Sequence, residues 1–140
     1  SDRTSFFQPF WEKDDKKLSQ ILSDLLFTTI SYHDYSKSFY HAILVGLLSK
    51  AGYIVESNFE NGLGRSDIAV KDRADRKAVV IEVKVSDSEA CLEADCEKAL
   101  AQIREKRYAD KIKTEDYRTV LSYGMAFYKK TCLVKIMINK

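Results

Sequence analysis

The order helix, three strands, helix, two strands predicts an α/β domain with a central mixed β-sheet flanked by helices and an extra helix at the N-terminus. Three observations carry this. Residues 78–85, Ala-Val-Val-Ile-Glu-Val-Lys-Val, form a β-branched run typical of an interior strand. Leu92, Cys96, Ala99 and Ile103 recur at helical spacing directly after it. Two more strand-like runs follow that helix. A helix between strands implies a crossover and at least one parallel pair, so the sheet is mixed.

Pro9, the single proline, suits the start of a first helix, in which Leu18, Ile21, Leu22, Leu25 and Leu26 make an apolar stripe ending near Ile30. The polar, aromatic stretch 31–36 then reads as a connector. This divides the chain into an N-terminal helical appendage and connector, residues 1–33, and a main domain, residues 34–140. The chain opens on Ser1 rather than Met, so a piece of a longer protein is expected. A second helix spans about 38–51 on the stripe Tyr40, Leu44, Leu47, Leu48 and Ala51, with Gly52 as its C-cap. Residues 53–57 form the first strand, 61–64 a glycine turn, and 66–70 the second strand. A polar turn over 72–76 leads to the third. Ser88 is placed to cap a long helix over 89–108. Residues 120–128 and 133–138 are the last strands, joined at Lys129, Lys130 and Thr131.

At 140 residues, 45% hydrophobic and 31% charged, the composition is that of a single globular domain. No apolar run approaches the roughly 20 residues that span a bilayer, and no signal-peptide pattern opens the chain. Cys91, Cys96 and Cys132 fit neither a zinc site nor a disulfide framework and are expected as reduced, buried thiols of a cytoplasmic protein. A net charge of +2 does not announce a nucleic-acid partner. Between Lys98 and Arg118, however, seven basic residues stand against Glu105, Asp110, Glu115 and Asp116. That excess suits either a phosphate backbone or a solvated helix face.

Period-two alternation puts Glu82 and Lys84 on one face of their strand and Val79, Ile81, Val83 and Val85 on the other. If the strand that begins Ser66-Asp67-Ile68 pairs with it as a hairpin, Asp67 approaches Glu82. Two carboxylates and the Val83 backbone carbonyl then suit a hard divalent cation, Mg²⁺ or Mn²⁺. Such an ion polarises a phosphodiester and acidifies a bound water, which Lys84 is placed to orient. Gln102, beside the inward stripe of the following helix, and Lys106 one turn on are placed to reach the same point. His41 and Arg65 are accessory candidates. The bland alternative is a surface ion pair contributing about 0–1 kcal/mol.

These residues resemble the PD-(D/E)XK nuclease superfamily. Gly62-Leu63-Gly64-Arg65-Ser66-Asp67, Ile81-Glu82-Val83-Lys84 and Ala99-Leu100-Ala101-Gln102-Ile103 with Lys106 and Tyr108 carry the resemblance. Phe39-Tyr40-His41 and Tyr123-Gly124-Met125-Ala126-Phe127 resemble the branch found as the C-terminal domain of bacterial AAA-ATPase-like proteins. The resemblance implies a restriction-endonuclease-like core with a four-stranded mixed sheet and Mg²⁺-dependent cleavage of DNA. In it Asp67, Glu82 and Val83 are metal ligands, Lys84 the catalytic lysine, and Gln102 and Tyr108 a glutamine-to-tyrosine helix motif. Here that spacing is six rather than four, so Lys106 stands in the tyrosine's place. Residues 36–38 offer no acid on the first core helix, which leaves His41 as substitute. The implied partners are nucleic acid, an AAA-ATPase-like domain in the same longer chain and a possible homo-oligomer. The alternative is a nuclease-like module that binds nucleic acid, or docks on the ATPase, without cutting.

Overall fold

The computed structural model of the chain describes residues 2–29, 35–50, 52–57 and 68–138. Within them the strands β1 (Ile54–Ser57), β2 (Ile68–Asp72), β3 (Lys77–Val85), β4 (Thr119–Tyr128) and β5 (Thr131–Ile136) form one sheet in sequence order. β3 and β4 are parallel, and the other neighbours are antiparallel. The mixed sheet is therefore as expected, with one strand more than the four the resemblance implies. The parallel pair exists because helices α4 (Leu92–Lys106) and α5 (Tyr108–Lys113) cross over between β3 and β4.

The period-two pattern of β3 divides the core into two layers. Val79, Ile81 and Val83 pack with Tyr123, Met125 and Phe127 beneath α1 (Asp2–Trp11), α2 (Asp15–Thr29) and α3 (Lys37–Ser49). Ala78 and Val80 pack on the other face with Leu100, Ile103, Tyr108 and Ile112 of α4 and α5. Val85, expected in the apolar row, is exposed at the strand's end.

The expected first helix over residues 9–30 is two helices. Pro9 lies inside α1, not at a helix start. The chain turns at Lys13, which has a positive φ. α2 begins afresh where the Asp14 carboxylate accepts from the Lys17 backbone N–H at 3.1 Å, an N-cap arrangement. Phe7, Phe10, Leu18, Leu22 and Leu26 are all buried in the same cluster as the sheet. Ser36 caps α3 by accepting from Phe39 N–H, and Gly52 takes a positive φ just beyond that helix. At the crossover after β3, Glu89–Cys91 is a 3₁₀ turn, and the Ser88 side chain makes no capping hydrogen bond. Arg107, at φ 54, ends α4 before Tyr108, so the expected helix over 89–108 is broken and α5 is additional. Cys96 and Cys132 are buried and free as expected, whereas Cys91 is exposed in the 3₁₀ turn. Burial pushes the Cys96 thiol up to about 12, which keeps it protonated.

α2 covers the edge of β5 with side chains rather than backbone. Ser23 and Ser19 hydroxyls accept from Cys132 and Val134 N–H, each at 2.9 Å, while Ser23 donates to the Cys132 carbonyl at 3.2 Å and Ser19 to the Asp15 carbonyl of its own helix at 2.9 Å. Asp15 accepts from Ile136 N–H at 3.1 Å. The spacing explains the match. Four helical residues rise about 6 Å and two strand residues about 6.7 Å, so Asp15, Ser19 and Ser23 keep step with residues 136, 134 and 132. An edge that would otherwise invite another strand is thereby closed. At the opposite end of the sheet from Glu82, the Lys71 side chain is 9% exposed and bridges Glu56 at 2.9 Å and Glu115 at 2.8 Å. It ties β1 and β2 to the segment entering β4.

Two expectations follow from these contacts. Replacing both serines (Ser19→Ala with Ser23→Ala) leaves two strand N–H groups without their acceptors. It should lower the unfolding free energy by about 1–3 kcal/mol per group and speed amide exchange at Cys132 and Val134. Equal stability with unchanged exchange would show that the ladder contributes nothing. For Lys71, burial lowers the pKa, but hydrogen bonds and charge from Glu115 and Glu56 outweigh it and hold the value above its ordinary 10.5. This stabilisation is fully present below 10.5 and is lost as pH rises through the folded-state value. Stability curves for Lys71→Met should accordingly lack that part of the alkaline decline.

Candidate active site on the α4 face of β3

Glu82, Lys84 and Ser86 occupy alternate positions of β3 and its exit, so the strand itself sets them on the face that α4 covers. Glu82 is 3% exposed. A carboxylate that deep in an interior strand calls for a partner or a role, since burying a charge is costly. In the parallel register its neighbour on β4 is Gly124.

Gly124 decides how closely α4 approaches. A Cβ built there would stand 2.6 Å from the Cys96 carbonyl oxygen, 3.1 Å from Ala99 Cβ and 3.2 Å from Leu100 Cγ. Only a residue without a side chain lets the helix backbone lie against the strand at this point. From that position α4 reaches β3 with two polar contacts. Lys84 Nζ donates to Gln102 Oε1 at 2.6 Å, and Ser86 Oγ donates to Asp95 Oδ2 at 2.6 Å. Asp95 and Gln102 are seven residues apart, two helical turns, and so lie on one stripe. An ammonium has no acceptor, so the Lys84 contact fixes the Gln102 amide with its oxygen inward. The two N–H donors of Gln102 have no partner among the described residues.

Lys84 and Gln102 meet, and Glu82 shares their face. Lys106, half-buried, is one turn beyond Gln102 in the last turn of α4 and makes no ion pair among the described residues. Tyr108 is not on that stripe: it follows the break at Arg107 and packs with Ile103, Ile112, Tyr117 and Val120. His41 is buried on α3, in the layer opposite α4, with its Nε2 3.4 Å from Ser57 Oγ. Ser57 pairs with Ile68, and Ile68 with Ile81, so His41 reaches the row adjoining Glu82 from the other side of the sheet. Val83 sends its side chain into the α3 layer and has only its backbone to offer. Asp67 and Arg65 lie outside the described residues, and β2 begins at Ile68. Among the described residues no three His, Cys, Asp or Glu side chains cluster. Ser86, Asp95 and Gly124 are the residues that sequence reasoning misses. The first two do carry a signal, because they continue the period of two on β3 and the seven-residue spacing on α4.

Gly124→Ala tests the helix contact. The methyl group meets a backbone carbonyl that cannot rotate away, so overpacking should destabilise the fold by about 1–3 kcal/mol. The amide and side-chain resonances of Gln102 should shift with it. A variant as stable as the parent, with Gln102 unmoved, would mean that the approach is looser than this.

Comparison with known protein families matches residues 36–136 to the PD-(D/E)XK nuclease superfamily. No curated protein and no solved structure matches the chain. The five-stranded mixed sheet with helices on both faces is consistent with the restriction-endonuclease-like α/β fold. Nucleases of this superfamily generally use divalent metal ions. No helix among the described residues is long and apolar enough to cross a membrane. With the match running from the cap of α3 to the end of β5, the chain belongs to the PD-(D/E)XK nuclease superfamily.

Proposed function

We propose that this chain is a metal-dependent nuclease domain that hydrolyses phosphodiester bonds of DNA, with Asp67, Glu82, Lys84 and Gln102 as its working residues. The observation that carries the reading is the 2.6 Å hydrogen bond by which Gln102 holds the Lys84 ammonium on the face of the buried Glu82. A neutral acceptor steadies the lysine without cancelling its charge, and leaves its other donors for an anion. Negative charge that grows on a phosphoryl oxygen during in-line attack is stabilised by such a preset cation. The outward N–H groups of Gln102 and the Lys106 ammonium extend the same donor surface toward a substrate phosphate. Arg65 is a further phosphate contact in this scheme, and His41 acts by supporting the Glu82 row through Ser57.

The donor set suits a hard cation. Glu82 offers a carboxylate, Val83 a backbone carbonyl, and Asp67, bonded in sequence to Ile68, a second carboxylate. Mg²⁺ takes one or two carboxylates and completes its sphere with water and substrate phosphate, so this set is sufficient. When bound, Mg²⁺ or Mn²⁺ supplies charge stabilisation at the phosphate and a water acidic enough to attack. The AAA-ATPase-like domain suggested by the 39–41 and 123–127 segments is the proposed neighbour in a longer chain, and the cytoplasm its location. A second reading has one observation in its favour: the first turn of α3 carries no acid. On that reading the domain binds DNA without cutting it.

A cleavage panel of single-stranded, duplex and branched DNA with Mg²⁺ and Mn²⁺ tests the proposal. Lys84→Ala should abolish cleavage while leaving the circular dichroism spectrum unchanged. Gln102→Ala should slow cleavage by about 10²–10³-fold, the effect of losing one preset donor arrangement. No cleavage by the parent chain with either ion, or parental rates in Lys84→Ala, would overturn it. DNA binding that survives Glu82→Gln in a non-cutting parent would favour the second reading.

A further inference from the structure

The charge excess over 98–118 resolves into two unlike surfaces. Glu115 and Asp116 are drawn toward the β2 side, where they pair with Lys71 and Arg76. Lys98 pairs with Asp95. Of the remaining cations, Arg104, Arg107 and Lys113 line a groove of about 430 Å³ between the end of α4, α5 and the start of β4. Arg104, Arg107 and Lys113 stand at this groove against a single carboxylate, Asp110, which pairs with Arg107 at 3.4 Å. Arg104 and Lys113 make no ion pair among the described residues. Between these cations the apolar side chains that reach the surface are the half-buried Ala109 and Met137, above the buried Ile103, Val120 and Ser122.

We infer that this groove binds a single strand of DNA, the guanidinium and ammonium groups taking phosphates and the half-buried Ala109 and Met137 side chains taking base faces. A basic groove with sequence-tolerant base contacts is how single strands are held, and in a duplex the base faces are already stacked. The position favours the same substrate. Ile103 points into the sheet, with Gln102 on one flank of it and Arg104 on the other, so the proposed active site and the groove flank one helix. A strand crossing α4 would pass from one to the other. This inference rests on the reading that the substrate is DNA and is independent of whether the strand is cut.

The test is fluorescence anisotropy of a labelled oligodeoxythymidylate and of a duplex, measured in EDTA over a range of salt. The parent chain should bind the single strand more tightly than the duplex. Arg104→Gln with Lys113→Gln should weaken single-strand binding and lower its salt slope by about 0.7 for each phosphate no longer neutralised. Lys16→Gln with Lys17→Gln, an equal loss of charge on the exposed part of α2, should leave binding unchanged. Melting temperatures of both double variants confirm folding. The groove assignment is overturned if its variant binds like the parent, if the α2 variant weakens binding equally, or if the duplex binds more tightly. Absence of any binding by the parent overturns this assignment and the DNA reading together. Groove-dependent binding by a chain that never cleaves leaves the groove standing and removes the catalytic reading alone.

Discussion

The arrangement of polar groups between α4 and β3 depends on how close the helix comes to the sheet, and Gly124 sets that distance. The backbone of the helix at Cys96 occupies the space where any other residue would carry its Cβ. Because Gly124 is also the register neighbour of Glu82, this close helix–strand contact falls beside the buried carboxylate. Gln102 can then reach Lys84, and Asp95 can reach Ser86, with bonds of 2.6 Å each. A looser helix would leave the same side chains in the same sequence order without a shared point of action. Position, rather than residue type alone, gathers these polar groups on one face.

The opposite layer supplies the rigidity this arrangement needs. α3 seals one face through Tyr40, Leu44 and Leu48, while α1 and α2 add Phe10, Leu18, Leu22 and Leu26 to the same cluster. The Tyr123 hydroxyl donates to the Phe10 carbonyl, so the strand next to Glu82 is anchored across the core to the first helix. The serine ladder from α2 fixes β5, and β5 in turn holds Lys135 against Glu93 and Glu97 of α4. The N-terminal helices and α4 are thus connected through the sheet, although they lie on different sides of it.

Much of this is legible in the sequence because two periods dominate it. Alternation on β3 correctly sorts Glu82 and Lys84 from Val79, Ile81 and Val83, and the stripe Leu92, Cys96, Ala99 and Ile103 is the buried face of α4. Breaks are harder to see. The turn at Lys13 and the end of α4 at Arg107 are made by non-glycine residues at positive φ, which no glycine or proline advertises. The Lys84–Gln102 hydrogen bond is a tertiary event. Sequence puts both residues near the same end of the sheet, but only the crossing of α4 over Gly124 brings them into contact. The groove at Arg104 and Lys113 is invisible for a similar reason, since the sequence shows the charges without showing which acids are drawn elsewhere.

The central claim is that the buried Glu82 carboxylate belongs to a cation site completed by Asp67. The most direct measurement is a crystal structure of the chain grown with Mn²⁺, with anomalous scattering used to locate the ion. The account predicts a peak between the Glu82 and Asp67 carboxylates, beside the Val83 carbonyl, that disappears in Glu82→Gln. A well-ordered Glu82 with no peak there, or Mn²⁺ bound only elsewhere on the molecule, would contradict it.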